Sequence, residues 1–253
     1  RGMVSSAHPL ATLAGVRMLL EGGNAFDAIV ATAVALNVVE PYMSGIVGVG
    51  YALVYSPKDV GPRVLDYCGP CPQAATADLY GNEERKEVGI TSCLVPGACA
   101  GWLELLDRYG TMDRATVFQP AIELAENGYA VTVRNHIFMS NVSRLSDTGK
   151  AIIAPNGTGP QPGDVLVQKS LAHSFRRVVE GGAEVFYRGD LGKDIIDYVQ
   201  SEGGFLSEDD LTSFEPVWVD PVTVNYRGYD VYTPPPPSSG FQILQTLNML
   251  EGD

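Results

Sequence analysis

The chain has 253 residues, of which 45% are apolar and 19% are charged, so it is long and apolar enough to bury a large core. Its 30 acidic and 17 basic residues give a formal charge of -13, which argues against a nucleic-acid partner because most of the surface would repel a phosphate backbone. The longest apolar run, at 28–39, is shorter than the ~18 residues that a bilayer span needs, so we expect no membrane partner.

These values favour one soluble domain over residues 1–253. The first residues show no basic-then-apolar leader, so we expect a signal peptide to be absent or already removed. Four cysteines are too few for a disulfide scaffold, which favours a reducing, cytoplasmic compartment and leaves a periplasmic or secreted location open. The densest basic pairs, Arg85-Lys86 and Arg176-Arg177, stand beside glutamates and are typical of a solvated face.

The first forty residues predict two consecutive helices. Apolar residues recur at helical spacing over 8–22, and Gly22-Gly23 then supplies a left-handed stop. Asn24 is a typical N-cap, and Asp27 is favourable in the first turn that follows. The second helix, over 25–39, is apolar nearly all round and is therefore predicted to be buried.

A β-hairpin is predicted next, with strand signals in 44–56 and 60–68 on either side of a Lys58-Asp59 turn. It opens with Ser44-Gly45-x-x-Gly48-x-Gly50, which resembles a phosphate-binding loop only loosely. The segment has neither the lysine of a P-loop nor the glycine order of a dinucleotide site. A turn before a strand is the favoured interpretation.

The rest of the chain is mostly helical in its patterning. Residues 147–164 are the most loop-like segment and are predicted to be an exposed excursion. A second hairpin is predicted within 215–233, turning at Arg227-Gly228, and a proline-rich connector leads into a last helix. The predicted helices lie at 97–110, from Pro120 to 127, at 168–182, at 194–202 and at 241–252.

Cys68-Gly69-Pro70-Cys71 has the four letters of a thioredoxin-type redox motif. Such a motif needs a helix that begins at the first cysteine and lowers its pKa. Pro72 follows directly and disfavours helical geometry at the residue before it, so a helix is not expected to pass through Cys71. A turn with two small side chains is therefore favoured over a catalytic dithiol.

We expect no metal and no other cofactor. The pair Cys68 and Cys71 is followed by Cys93 and Cys99, whose spacing is wrong for the second half of a zinc site. The three histidines lack acidic partners at useful spacing and are assigned structural or solvent-facing roles: His8, His136 and His173.

Six blocks, in register along the chain, resemble the large subunit of the γ-glutamyltranspeptidases, which are N-terminal-nucleophile (Ntn) hydrolases. The first block runs from SSAHPLATLAG to EPYMSG, and the others include LVPGACAGWLELLDRYG, FQPAIELAENGYAV, GGAEVFYRGDLGKDII, GGFLSEDDL and YRGYDVYTPPPPSSGFQILQTLNMLEG. The resemblance implies an α/β fold, a four-layer αββα sandwich, to which this chain contributes the N-terminal part of the large subunit.

The resemblance also places the CGPC segment at a strand end where typical members read Asp-Phe-Arg-Glu-x-Ala-Pro. Asp66, Tyr67 and Pro72 fit that pattern, but Cys68 takes the place of the arginine that holds the substrate's α-carboxylate. A guanidinium donates two parallel hydrogen bonds to a carboxylate, which a thiol cannot do. The resemblance thus implies Tyr67 and Cys68 as substrate-binding residues of the pocket wall, facing a substrate that need not be glutamyl.

By the same resemblance, the precursor cuts itself and exposes a threonine that acts as nucleophile, with its own amine as base. That threonine is expected downstream, so no catalytic residue is assigned in this chain. The implied partners are the chain's own small subunit and a small-molecule amide, cleaved through an acyl-enzyme. One alternative is a true γ-glutamyltransferase or glutathione hydrolase that uses another cation, and another is a non-catalytic relative or a thiol-redox protein.

Overall fold

The computed structural model describes residues 2–80 and 88–251. The helices are α1 (Pro9–Leu20), α2 (Ala25–Val39), α3 (Ala98–Tyr109), α4 (Arg114–Asn127), α5 (Val133–Met139), α6 (Asp147–Ile153), α7 (Lys169–Tyr187), α8 (Asp190–Ser201), α9 (Glu208–Thr212) and α10 (Gly240–Leu250). The strands are β1 (Tyr51–Val54), β2 (Arg63–Asp66), β3 (Tyr129–Ala130), β4 (Val165–Leu166), β5 (Val217–Val219), β6 (Val222–Tyr226) and β7 (Tyr229–Thr233).

The core lies between a group of helices and a small antiparallel sheet. Helix α2 packs against α1, α3 and α4, and α4 packs in turn against α7. The sheet has the order β1-β2-β5, with β2 in the centre. Leu65 of β2 is fully buried in the same apolar core as the helices, so the central strand is held firmly at the point where the chain leaves it.

Both predicted hairpins are confirmed. Strands β1 and β2 pair antiparallel with Tyr51 opposite Asp66, and β6 and β7 pair around Arg227 and Gly228, which both have positive φ. A positive φ is what a two-residue hairpin turn requires. Helix α10 packs on this second hairpin.

Three of the sequence predictions are wrong in detail. Pro120 lies inside α4, which begins at Arg114 with Asp113 as its N-cap. The 147–164 segment is not wholly a loop, because Ser146 caps the short helix α6. The stop predicted at 181–182 is a kink, since Gly182 adopts φ 63° and the helix then resumes.

Of the two basic pairs, Arg85 and Lys86 lie outside the described residues. Arg176 forms an ion pair with Glu126 at the surface, and the partly buried Arg177 pairs with the exposed Asp190 and Asp194. Among the residues described, no helix has the length and apolarity that crossing a bilayer requires.

Asp27 joins the start of α2 to the end of α3. Its fully buried carboxylate accepts hydrogen bonds from the backbone N–H groups of Asn24, Thr111 and Met112 and from the Thr111 hydroxyl, at 2.6–3.2 Å. Burial alone would raise the pKa of this carboxyl, but the hydrogen bonds outweigh it and lower the pKa below the usual 3.8.

We expect Asp27→Asn to lower the free energy of unfolding at pH 7 by about 1.5–3 kcal/mol, because hydrogen bonds to a charged acceptor are lost. A lowered pKa in the folded state stabilises above the unfolded pKa, and this stabilisation is lost as the pH falls through the folded value. The difference between the variant and the wild type should therefore be largest above pH ~4 and shrink below it. Denaturant unfolding at pH 7 and pH 3 measures this, with exposed Asp107→Asn as the matched control. A difference that did not depend on pH would contradict the role of the carboxylate charge.

Candidate functional site

The CGPC segment forms a turn at the end of β2, with no helix over 67–76, as the sequence predicted. The backbone N–H of Cys68 donates to Oδ1 of Asp66 at 2.8 Å, which turns the chain out of the strand. The carbonyl of Pro70 then accepts from the Val95 N–H at 2.9 Å. A Cβ on Gly69 would overlap the Val95 carbonyl oxygen, so glycine is required for this close approach.

Both cysteines of the turn are free thiols beside a cavity of about 390 Å³. Three carboxylates share this cavity: Asp66, Asp210 and Glu215. The cavity is lined, within the described residues, by acids, thiols, apolar groups and the neutral polar residues Gln73 and Ser213, without a lysine or arginine. Its chemistry therefore disfavours a carboxylate ligand, which would need a cation for its charge.

The far wall of this cavity is held by Asp210 of α9. Its Oδ2 accepts from the Ser207 N–H and hydroxyl as part of a capping box, at 2.9 and 2.6 Å. Its Oδ1 accepts from the Gln73 N–H at 2.9 Å. One buried carboxylate therefore fixes both the start of α9 and the loop that follows Cys71.

Tyr67 faces another cavity. Its ring packs over Gly50 and Gly101, where added Cβ atoms would collide with it, and it lines a cavity of about 490 Å³ with Phe26 and Trp102. Burial raises the pKa of its phenol to about 12. The structure thus separates the two residues assigned to the pocket wall, with Cys68 beside one cavity and Tyr67 beside the other.

Tyr51 is a polar residue near the site that the sequence analysis did not single out. It opens β1 directly opposite Asp66, and its phenol lies beside the Cys68 thiol. Burial is the largest cause that raises the pKa of the Tyr51 phenol to about 12, and the neighbouring Cys68 and Asp66 add to it. The alternation of side chains along a hairpin could have indicated this position, but only with the register known.

The glycine-rich segment before β1 does not present an open phosphate site. The Gly48 carbonyl accepts hydrogen bonds from the N–H groups of Gly97 and Ala98, both at 2.9 Å, at the N-terminus of α3. These are among the donors with which a helix start would bind an anion. The turn predicted before the strand is confirmed.

Cys99, His8 and His136 have surroundings typical of structural residues, while Cys93 and His173 are exposed. Cys99 is fully buried, and this burial raises its thiol pKa to about 12. His8 caps α1, and burial lowers its pKa despite the opposing influence of Asn135 and Glu40. His136 lies against the carbonyl of Pro160. Over 2–80 and 88–251, no three histidine, cysteine or acidic residues are grouped as a metal site would require.

A protein-family model described as gamma-glutamyltranspeptidase matches residues 11–253. The chain belongs to this family. It is 41% identical over 268 residues to the acylase ACY 1 proenzyme of Pseudomonas sp. (strain V22), a match that covers 100% of this chain and 48% of the relative. It is 38% identical over 260 residues to the glutathione hydrolase proenzyme of Bacillus subtilis (strain 168), covering 99% and 44%.

Among solved structures, the chain is similar to the gamma-glutamyltranspeptidase of Helicobacter pylori, with a TM-score of 0.95 and 35% identity over 100% of this chain and 75% of that one. The expected family and the mixed α/β fold of the N-terminal, large-subunit part are thereby confirmed. The chain spans about half the length of the curated relatives it matches. Members of the gamma-glutamyltranspeptidase family with names as different as acylase and glutathione hydrolase share this half, so the family alone leaves the acyl group open.

Proposed function

We propose that the complete protein is an Ntn amidohydrolase or acyltransferase that cleaves a small amide whose acyl group carries no carboxylate at the position of Cys68. The acyl-enzyme forms on an N-terminal threonine that self-cleavage exposes. This chain supplies one wall of the substrate pocket and no catalytic group. The observation that carries the proposal is the cavity at Cys68, which has three carboxylates and, among its described lining residues, no cation.

Charge is the reason for this choice of substrate class. A γ-glutamyl group presents an α-carboxylate, and anchoring it away from water takes a matched donor such as a guanidinium. Placing a carboxylate beside Asp66, Asp210 and Glu215 adds like-charge repulsion to the cost of desolvation. A neutral acyl chain meets neither cost. The acylase among the relatives is consistent with such a substrate.

The proposed reaction proceeds in two steps. The threonine hydroxyl attacks the amide carbonyl while the threonine amine takes its proton, and the leaving amine departs with a proton. Water, or an acceptor amine, then attacks the ester and frees the threonine. The residues of this chain act by binding and orienting the acyl group, which lowers the entropic part of the barrier.

The first test is the intact mass and N-terminal sequence of the complete protein. We expect two chains, the smaller beginning with threonine, and turnover of neutral acyl p-nitroanilides faster than of γ-glutamyl-p-nitroanilide. Replacing that threonine by alanine is the matched control and should abolish turnover. A processed wild type that cleaved no anilide or amide in a broad panel would refute the proposal.

True γ-glutamyl transfer is a second candidate, favoured by the 38% identity to a glutathione hydrolase. It requires a cation from the other half of the protein to hold the α-carboxylate. Turnover of γ-glutamyl-p-nitroanilide that exceeds that of the neutral anilides, and that increases with glycylglycine as acceptor, would favour this candidate.

A further inference from the structure

The hydroxyl of Tyr51 is enclosed by the protein and has no hydrogen-bond partner. Buried polar groups are nearly always paired, because an unpaired one forfeits its bonds to water. Such an exception beside a cavity therefore calls for a partner that binds there.

The neighbours of this hydroxyl do not pair with it in the arrangement that the structure shows. Tyr51 stands opposite Asp66 in the hairpin, and its phenol also lies beside Cys68, which follows the end of β2. Asp66 accepts from the Cys68 N–H through Oδ1, and neither of its oxygens accepts from the Tyr51 hydroxyl. The thiol lies beside the phenol, but sulfur is a weak acceptor and makes no hydrogen bond of normal geometry with it here.

The phenol keeps its proton. Burial first, and then the interactions with Cys68 and Asp66, raise its pKa to about 12, so it is a neutral hydrogen-bond donor throughout the physiological range. A neutral donor can bind a carbonyl, ester or amide oxygen. It cannot neutralise an anion, and within the described residues neither the cavity that Tyr51 lines nor the cavity beside Cys68 is lined by a lysine or arginine.

We infer that Tyr51 is a specificity-determining residue, whose hydroxyl donates a hydrogen bond to a neutral oxygen on the substrate's acyl chain beside Cys68. Rotation of Cys68 about its Cα–Cβ bond moves the thiol aside and opens the hydroxyl to this oxygen. The substrate class is thus an amide whose acyl group bears an uncharged acceptor about where a glutamyl group has its α-carboxylate. This inference rests on the proposed function and adds to it the group that recognises the acyl chain.

Two anilides that differ only in that acceptor test the inference. In 5-oxohexanoyl-p-nitroanilide the ketone takes the place of the glutamyl carboxyl carbon, and hexanoyl-p-nitroanilide lacks it. With the complete, processed protein we expect kcat/KM to favour the oxo substrate by about tenfold, as expected for one well-placed hydrogen bond. Tyr51→Phe should reduce this preference to below about twofold, mainly through KM, while turnover of hexanoyl-p-nitroanilide changes little.

Two further variants test whether the loss of substrate preference is specific to the Tyr51 hydroxyl. Tyr55→Phe removes the same group from an exposed tyrosine just beyond β1 and should leave the preference intact. Cys68→Ala removes the covering thiol and should preserve or increase the preference. Intact masses confirm that each variant is processed.

The outcomes separate the two proposals. If the processed wild type turns over neither of these anilides nor any other amide of the panel, the proposed function is refuted and the role of Tyr51 with it. If it cleaves other amides but neither of these two, only the role of Tyr51 is wrong. If both are turned over and Tyr51→Phe retains the tenfold preference, the proposed function stands and the role of Tyr51 is wrong. Loss of the preference in Cys68→Ala alone would assign the contact to the thiol and overturn the inference.

Discussion

Replacing Cys68 with arginine should raise kcat/KM for γ-glutamyl-p-nitroanilide by about 10- to 100-fold. The new guanidinium would enter a cavity whose described lining has three carboxylates and no cation, and it would offer an incoming α-carboxylate two parallel hydrogen bonds. Pairing a partly desolvated charge is worth several kcal/mol, and ~1.4 kcal/mol corresponds to a factor of ten. Asp66 and Glu215 compete for the guanidinium, so we expect the lower part of that energy range.

The measurement compares γ-glutamyl-p-nitroanilide with 4-aminobutyryl-p-nitroanilide, which differs only by lacking the α-carboxylate. The ratio of the two kcat/KM values should increase in Cys68→Arg and remain near that of the wild type in Cys71→Arg, where the charge is added at an exposed position of the same turn. An equal gain for both substrates, or an equal effect of both variants, would show that Cys68 does not face the carboxylate.

Gly69→Ala should destabilise the protein by about 1–3 kcal/mol, the usual cost of overpacking a close contact. Its Cβ would overlap the Val95 carbonyl oxygen, which is backbone and cannot rotate away as a side chain could. The displacement needed to relieve this overlap would also distort the hydrogen bond from the Val95 N–H to the Pro70 carbonyl and shift the backbone of Cys68. We therefore expect a lower Tm together with a reduced kcat/KM for the neutral substrate.

Gly61→Ala is the matched control, because Gly61 lies in the β1–β2 loop with nothing within 4 Å of an added Cβ. It should leave Tm nearly unchanged. If the two alanine variants unfold at the same temperature, the contact between Gly69 and Val95 is not a constraint on the turn.

Much of the local structure followed from patterns that depend on near neighbours. Asn24 and Asp27 predicted a helix start because a capping box is formed within four residues. Arg227-Gly228 predicted a hairpin because the turn itself demands positive φ. Pro72 predicted that no helix would pass through Cys71, because its ring restricts the residue before it.

The errors arose where distant contacts or alternative local signals decided the outcome. Pro120 was assigned to a helix start, but Asp113 caps α4 about two turns earlier and the helix continues through the proline. The opposite orientations of Tyr67 and Cys68 depend on which face of β2 meets the helices, and hence on Leu65 entering the core. Tyr51 became notable only when the pairing of β1 with β2 placed it beside Cys68.

The four residues of the turn divide into a framework and two variable positions. Gly69 is confined by Val95, whereas Cys68, which is half-buried, and Cys71, which is exposed, both line the cavity. Residues 68 and 71 can therefore be randomised together, with 69 and 70 left unchanged, and most members of such a library should still fold. Selecting that library for the cleavage of different amides would identify which pairs of side chains at positions 68 and 71 favour each acyl group.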